Sequence, residues 1–214
     1  MKKHPLGHII GTFPYRLALA GGWYDQPFIS KHDPDPPGSM VVVQIEPNFP
    51  AMERSGLATS TRNTAAILWH GILPRRPKET LMKELYEAEN RGKSAPSGSQ
   101  DMAGLIYPGI NKLAYHYAIN GGKFPTSITS IEHVDRFRWL EKVLHILPIA
   151  PRPLGYNPLS KKNLDPQMIS RLGRTGKECF EAIWNMDSRA LGSSFNDCML
   201  CWESILPCTV KHRA

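Results

Sequence analysis

Proline sets the outer limit on what this chain can build. There are 19 prolines in 214 residues, and each removes a backbone donor and fixes φ near about −65°. They fall in groups: Pro34, Pro36 and Pro37, then Pro47 and Pro50, Pro74 and Pro77, and later Pro151, Pro153 and Pro158. No helix or interior strand runs across such points, so the chain divides into short elements. A strand is expected over Ile9–Ala20, punctuated by Pro14 and closed by Gly21-Gly22. The β-branched run Met40–Ile45 reads as a second strand.

Helical segments follow. Arg62–Trp69 can be helical, and Pro77 suits the start of a helix in which Leu81, Leu85 and Ala88 recur up to Asn90. Gly92–Gly98 reads as a loop, and a short helix begins near Asp101 with Met102, Leu105 and Ile106 inward. Tyr115, Tyr117 and Ile119 predict a strand, joined by a hairpin turn at Gly121-Gly122 to a partner over Phe124–Ile128. Asp135–Ala150 reads two ways: its first half fits a helix, while Val143–Ala150 fits an interior strand. Asp165 caps a helix with Pro166 in its first turn, and Asp187 caps the last helix, which ends before Pro207. Strands and helices in non-alternating order predict an α+β fold, with a domain boundary near residue 130.

Hydrophobic residues at 41% and charged residues at 21% suffice for a packed core. No apolar run approaches the length of a membrane span, and residues 1–10 lack a signal-like stretch. The expectation is a soluble cytoplasmic protein. A net charge of +7 favours anionic partners. The cations are scattered, as at Arg75-Arg76 and Lys161-Lys162, with no basic stripe interleaved with aromatics. That pattern reads first as a solvated surface; a nucleotide site would account for only a little of the excess, and nucleic acid is the weaker reading. Cys198, Cys201 and Cys208 with His212 can be drawn as a zinc site. Cys198 and Trp202, however, share one apolar helix face with Leu191, Phe195 and Ile205, where free cysteine acts as a small hydrophobe.

Four features could carry phosphoryl-transfer chemistry, which needs phosphate donors, a metal, a nearby cation and a group that orients the nucleophile. In Ser55-Gly56-Leu57-Ala58-Thr59-Ser60-Thr61, glycine and small residues precede a helix whose N-terminal amides attract anions. The same pattern serves an ordinary capped helix. Asp101, after Ser97-Gly98-Ser99-Gln100, can take or orient a hydroxyl proton, or simply cap a helix. Glu89 is an oxygen ligand suited to Mg²⁺, or an exposed helix charge. Arg16, amid apolar strand residues, needs a partner, and Asp101 is a sensible one.

Taken together these segments resemble the GHMP kinase family, named for galactokinase, homoserine kinase, mevalonate kinase and phosphomevalonate kinase. Pro14-Tyr15-Arg16-Leu17-Ala18-Leu19-Ala20-Gly21-Gly22-Trp23-Tyr24-Asp25 is similar to the first family motif, most of all in its fucokinase and heptose-phosphate kinase branch. Gly56-Leu57-Ala58-Thr59-Ser60-Thr61 resembles the second motif, with alanine at the second glycine, and Gln100-Asp101 resembles the pair that holds the catalytic aspartate. The resemblance covers roughly residues 9–125, and more loosely 165–207. It implies an N-terminal ribosomal-protein-S5-domain-2-like ATP-binding half over 1–130 and an incomplete ferredoxin-like half over 131–214.

The resemblance further implies an ATP-dependent kinase acting on a hydroxyl of a sugar or sugar phosphate, with ATP and Mg²⁺ required. Asp101 and Arg16 would be catalytic, Ser55 to Thr61 would hold the ATP phosphates, Ser60 and Glu89 the metal, and Asp25 and Trp23 the substrate. The family's third, glycine-rich motif is not reached before Ala214, and the interval from Asp25 to Gly56 is short. Those departures imply an alternative: a GHMP-like protein that binds nucleotide or sugar with impaired turnover.

Overall fold

The computed structural model describes residues 13–45, 57–147 and 155–209. It is an α+β arrangement with β1 at Tyr15–Ala20, α1 at Pro27–Ser30, β2 at Gly38–Ile45, α2 at Thr59–Leu68, α3 at Lys78–Asn90 and α4 at Gln100–Ile106. Then come β3 at Ile110–Tyr115, β4 at Ser127–Ile131, α5 at Val134–Val143, α6 at Pro166–Asn185 and α7 at Ser188–Ile205. The four strands form one sheet in chain order, each antiparallel to the next.

β2 is the strand around which the rest is arranged. Its residues Gly38–Val43 are buried without interruption. Successive side chains of a strand point to opposite faces, so unbroken burial requires cover on both. α6 lies along β2, and α4 packs against β1 and β2. α6 can do this because Ile169, Leu172, Gly173, Gly176, Cys179, Phe180 and Ile183 fall at spacings of three and four on its buried side. Ile169, Leu172 and Ile183 are fully enclosed, each stabilising the fold by roughly 2–3 kcal/mol relative to exposure. At Gly176 the helix meets the sheet so closely that a Cβ would overlap the backbone of Ser39 and Met40. Ser39 Oγ donates to the carbonyl of Gly173 at 3.1 Å, one turn earlier.

Both long helices begin where their aspartates predict. Asp165 Oδ1 accepts from the amides of Gln167 and Met168 at 2.8 and 3.0 Å. Asp187 Oδ1 accepts from Arg189 and Ala190 at 2.9 and 3.0 Å. Between them Met186, in the left-handed region at φ 55°, reverses the chain, and α7 returns along α6 with Arg171 paired to Asp197. On α7, Leu191, Cys198, Cys201 and Ile205 are buried, with Phe195 and Trp202 packed at the margin. Cys179, Cys198 and Cys201 are free thiols, and their burial pushes them up to about 12, 11 and 12. His212 lies outside the described residues.

Several expected elements sit elsewhere. Residues 9–12 lie outside the described part, and β1 starts at Tyr15. The third strand is Ile110–Tyr115, not Tyr115–Ile119, because Ile110, Leu113 and Tyr115 are the residues that reach the core. Tyr117 and Ile119 instead stand half exposed in the connection that follows. Gly121 and Gly122 do turn the chain, at φ 65° and 69°, but inside a longer link, so the partner strand starts only at Ser127. Val143 ends α5 and residues 144–147 carry no strand, with Leu147 79% exposed; residues 148–150 lie outside the described part. Residue 130 falls within β4, and one hydrophobic cluster joins Phe13 to Leu206. Among the described residues no helix is long and apolar enough to cross a membrane.

The close crossing at Gly176 generates a paired prediction. Gly176→Ala should destabilise the fold by about 2–4 kcal/mol, because the sheet backbone has no room to yield. Gly192→Ala on α7, where a Cβ meets nothing within 4 Å, should stabilise it by about 0.5–1 kcal/mol. Urea melts of the two variants measure both effects.

Candidate functional site

The site is built at the end of β1. Gly21 and Gly22 turn the chain there, and α7 holds that turn: Gly21 N donates to Cys198 Sγ at 3.3 Å, and Trp202 Nε1 donates to the Gly22 carbonyl at 2.9 Å. The Trp202 ring fills the space a side chain at Gly22 would need. Trp23, half-buried at φ 76°, and then Asp25 follow. Asp25 is fully buried. Its Oδ2 accepts from the backbone amide of Gln100 at 3.1 Å and its Oδ1 from Gln100 Nε2 at 3.2 Å.

Asp101 stands one residue on, in the first turn of α4, where Ser99 is the N-cap. It is therefore not the cap that the sequence offered as its ordinary role. Arg16 reaches it from β1 and pairs with Asp101 Oδ1, the partnership that an isolated arginine on an apolar strand requires. That reach depends on Gly104, since a Cβ at this position would overlap the Arg16 side chain. Thr61 Oγ1, from the first turn of α2, lies 3.5 Å from Asp101 Oδ2. Three sequence-distant segments thus converge on one carboxylate.

The residues expected to form a phosphate loop divide. Ser55 and Gly56 lie outside the described residues. Leu57 is half-buried. Ala58, the N-cap of α2, is buried and left-handed at φ 59°, a conformation that glycine adopts more readily than alanine. Its side chain offers no acceptor, so the first amides of α2, from Thr59 onward, have no cap from this residue. Ser60 is exposed, while Thr61 is fully buried and turned toward Asp101. The structure thus separates two neighbours that were both expected to hold phosphate.

Glu89 is not an exposed helix charge. Its side chain is 3% accessible, with Oε1 3.5 Å from Lys93 Nζ and Oε2 without a partner. No hydrogen bond joins it to Ser60. Among the described residues, no three of His, Cys, Asp and Glu gather to hold a metal. Buried polar atoms are normally satisfied. Four of those that are not are Arg16 Nε, Thr59 Oγ1, Glu89 Oε2 and Gln100 Oε1, all on segments singled out by sequence.

Electrostatics follow from enclosure. Burial pushes the Asp25 carboxyl up to about 7; the Gln100 amide opposes the shift, Asp101 adds to it and Arg16 opposes it. Tyr115, hydrogen-bonded to Ser99 Oγ at 3.0 Å, is held well above its ordinary range, first by burial and then by the charge of Asp25. Tyr86 on α3 is raised by the same two causes, and its ring meets Phe124 edge-on at 4.9 Å. Gln100, Tyr86 and Tyr115 were not singled out as site residues in the sequence. Only the adjacency of Gln100 to Asp101 hinted at one of them. An open cleft of about 420 Å³ between Asp35–Pro37 and α6 is lined by charges of both signs and shares no lining residue with this site.

No family model matches the chain, and no curated protein matches it either.

The raised Asp25 carboxyl has a stability consequence. Its folded value lies above the unfolded one, so between them the folded chain binds more protons and this group makes stability fall as pH rises. Relative to Asp25→Asn, the unfolding free energy of the wild type is expected to fall by on the order of 4 kcal/mol between about pH 4 and pH 8. Urea melts across that range measure it, and a pH-independent difference would contradict the raised value.

Proposed function

We propose that the chain is a GHMP-type ATP-dependent kinase that phosphorylates a hydroxyl of a sugar or sugar phosphate. The observation that carries this reading is the convergence of Arg16, Thr61 and Asp101 from three segments that resemble the family's motifs. Asp101 keeps one oxygen on Arg16 and turns the other toward the first turn of α2. A carboxylate fixed in this way can orient an acceptor hydroxyl and take its proton as the oxygen attacks phosphorus. Arg16 offsets negative charge beside it, and the uncapped amides of α2 favour an anion at that end. Trp23, at the turn after β1, is the residue that the resemblance would give to the acceptor.

One buried atom supports the metal that the resemblance implies. Glu89 Oε2 is a buried oxygen without a partner, and Mg²⁺ takes one or two carboxylates and completes its shell with phosphates and water. Glu89 and the Ser60 hydroxyl would hold it, and bound Mg-ATP supplies the transferable phosphoryl group with its charge neutralised.

The test is ATP consumption with Mg²⁺ against a panel of monosaccharides and their phosphates. Asp101→Asn is expected to lower turnover by about 10²- to 10⁴-fold, and Glu89→Gln to raise the Mg²⁺ concentration needed. Equal turnover by wild type and Asp101→Asn would remove Asp101 from the chemistry. A second reading, binding of nucleotide or sugar without turnover, is favoured by Ala58, whose methyl sits where the family motif has glycine. ATP-dependent thermal stabilisation with no product from any acceptor would support that reading.

A further inference from the structure

We propose that Asp25 is a positioning residue, whose buried carboxylate latches the Gly98–Gln100 segment to the turn after β1 and thereby fixes the orientation of Asp101. This rests on the reading of Asp101 as the catalytic carboxylate, and it gives Asp25 a role other than contact with substrate hydroxyls.

The geometry supports it in three ways. Asp25 is 0% exposed, so a substrate has no access to it. Both its oxygens are taken by a single residue, Gln100, through backbone and side chain, and Gln100 is bonded directly to Asp101. Finally, Gly98 leaves its Cβ space to the Asp25 carboxylate: a methyl there would overlap Oδ2. The rest of the segment is held by Ser97 and Ser99, with Lys93 Nζ donating to Ser97 Oγ at 3.2 Å at its exposed end. Asn90 Oδ1 accepts from Ser97 N at 2.7 Å, and Ser99 pairs with Tyr115. Asp25 is thus the buried anchor of Gln100, at the end of the segment next to Asp101, and the turn that carries it is itself clamped by Trp202 and Cys198 of α7. The ionisable groups around it are Asp101 on α4, Arg16 on β1, Tyr86 on α3 and Tyr115 on β3.

A latch and a substrate ligand respond differently to substitution. Asparagine keeps the shape of Asp25: its oxygen can accept from Gln100 N, and its amide can donate to Gln100 Oε1, which has no partner at present, once the Gln100 amide turns over. Alanine can do neither. Hydrogen exchange of the protein without ligand reads the latch directly, and turnover with the acceptor panel reads its effect on Asp101.

Asp25→Ala and Gly98→Ala, which attack the latch from opposite sides, are expected to speed exchange across residues 97–106 by about tenfold or more. In both variants α6 should remain protected and kcat should fall. Asp25→Asn should keep exchange within about twofold of wild type and rescue kcat. Unchanged exchange in Asp25→Ala overturns the proposal. So does an Asp25→Asn variant that keeps the protected segment yet loses turnover as Asp25→Ala does, since the charge would then be acting on substrate. Should Asp25→Ala not fold, Gly98→Ala against Asp25→Asn decides by the same criteria. A wild type inactive with every acceptor would sink the kinase reading alone, while the exchange pattern would still decide the latch.

Discussion

The arrangement depends on a carboxylate removed from water. Asp25 sits at the turn that ends β1, and the chain returns to it some seventy-five positions later at Gln100. Burying an ionisable group is unfavourable unless hydrogen bonds compensate, and here two come from one residue. The compensation is partial, which is why the carboxyl holds its proton to about pH 7. The fold accommodates this group because the turn is braced from the other side by α7, and α7 is in turn held on α6, which crosses β2. A chain of contacts therefore runs from the sheet centre, through two helices, to the loop before Asp101.

Around that anchor the site divides into an inner and an outer part. Arg16, Thr61 and Asp101 face inward and meet one another, with Arg16 Nε left without a partner. Ser60, one residue from Thr61, faces outward. Successive helix residues point about 100° apart, so one turn of α2 serves both sides. Any anion seated over its first amides would lie close to a threonine that touches Asp101. The proposed roles for phosphate and acceptor meet at this short turn rather than across a wide cleft.

Much of this was legible in the sequence, and the reasons differ by residue. The caps Asp165 and Asp187 were readable because capping is local: side chain and amides lie within three residues. The Arg16–Asp101 pair was readable because a charge among strand residues needs a counter-charge. β3 was misplaced because Tyr115, Tyr117 and Ile119 alternate as a strand would, while the true strand, covered on both faces, has no alternation to detect. Glu89 looked like an oxygen ligand or an ordinary surface charge because its residue type is polar, yet it follows Leu81 and Leu85 at spacings of four, so the helix period itself carries it to the buried side of α3. Thr61 was assigned with Ser60 because a motif treats neighbours together, whereas a helix turns them apart. The role of Gln100 required knowing that Asp25 is enclosed, which no local pattern reports.

The glycines of this site have a bearing on how such a chain can change over time. Gly98 makes room for Asp25, and Gly104 for Arg16. In each case an absent side chain on one segment is matched to a charged one on another, far away in sequence. Neither half can drift alone: a larger residue at 98 or 104 collides, and a smaller one at 25 or 16 leaves a void and an unpaired group. The two pairs are therefore expected to covary as units, so that related chains which abandon the charge would also be released from the glycine.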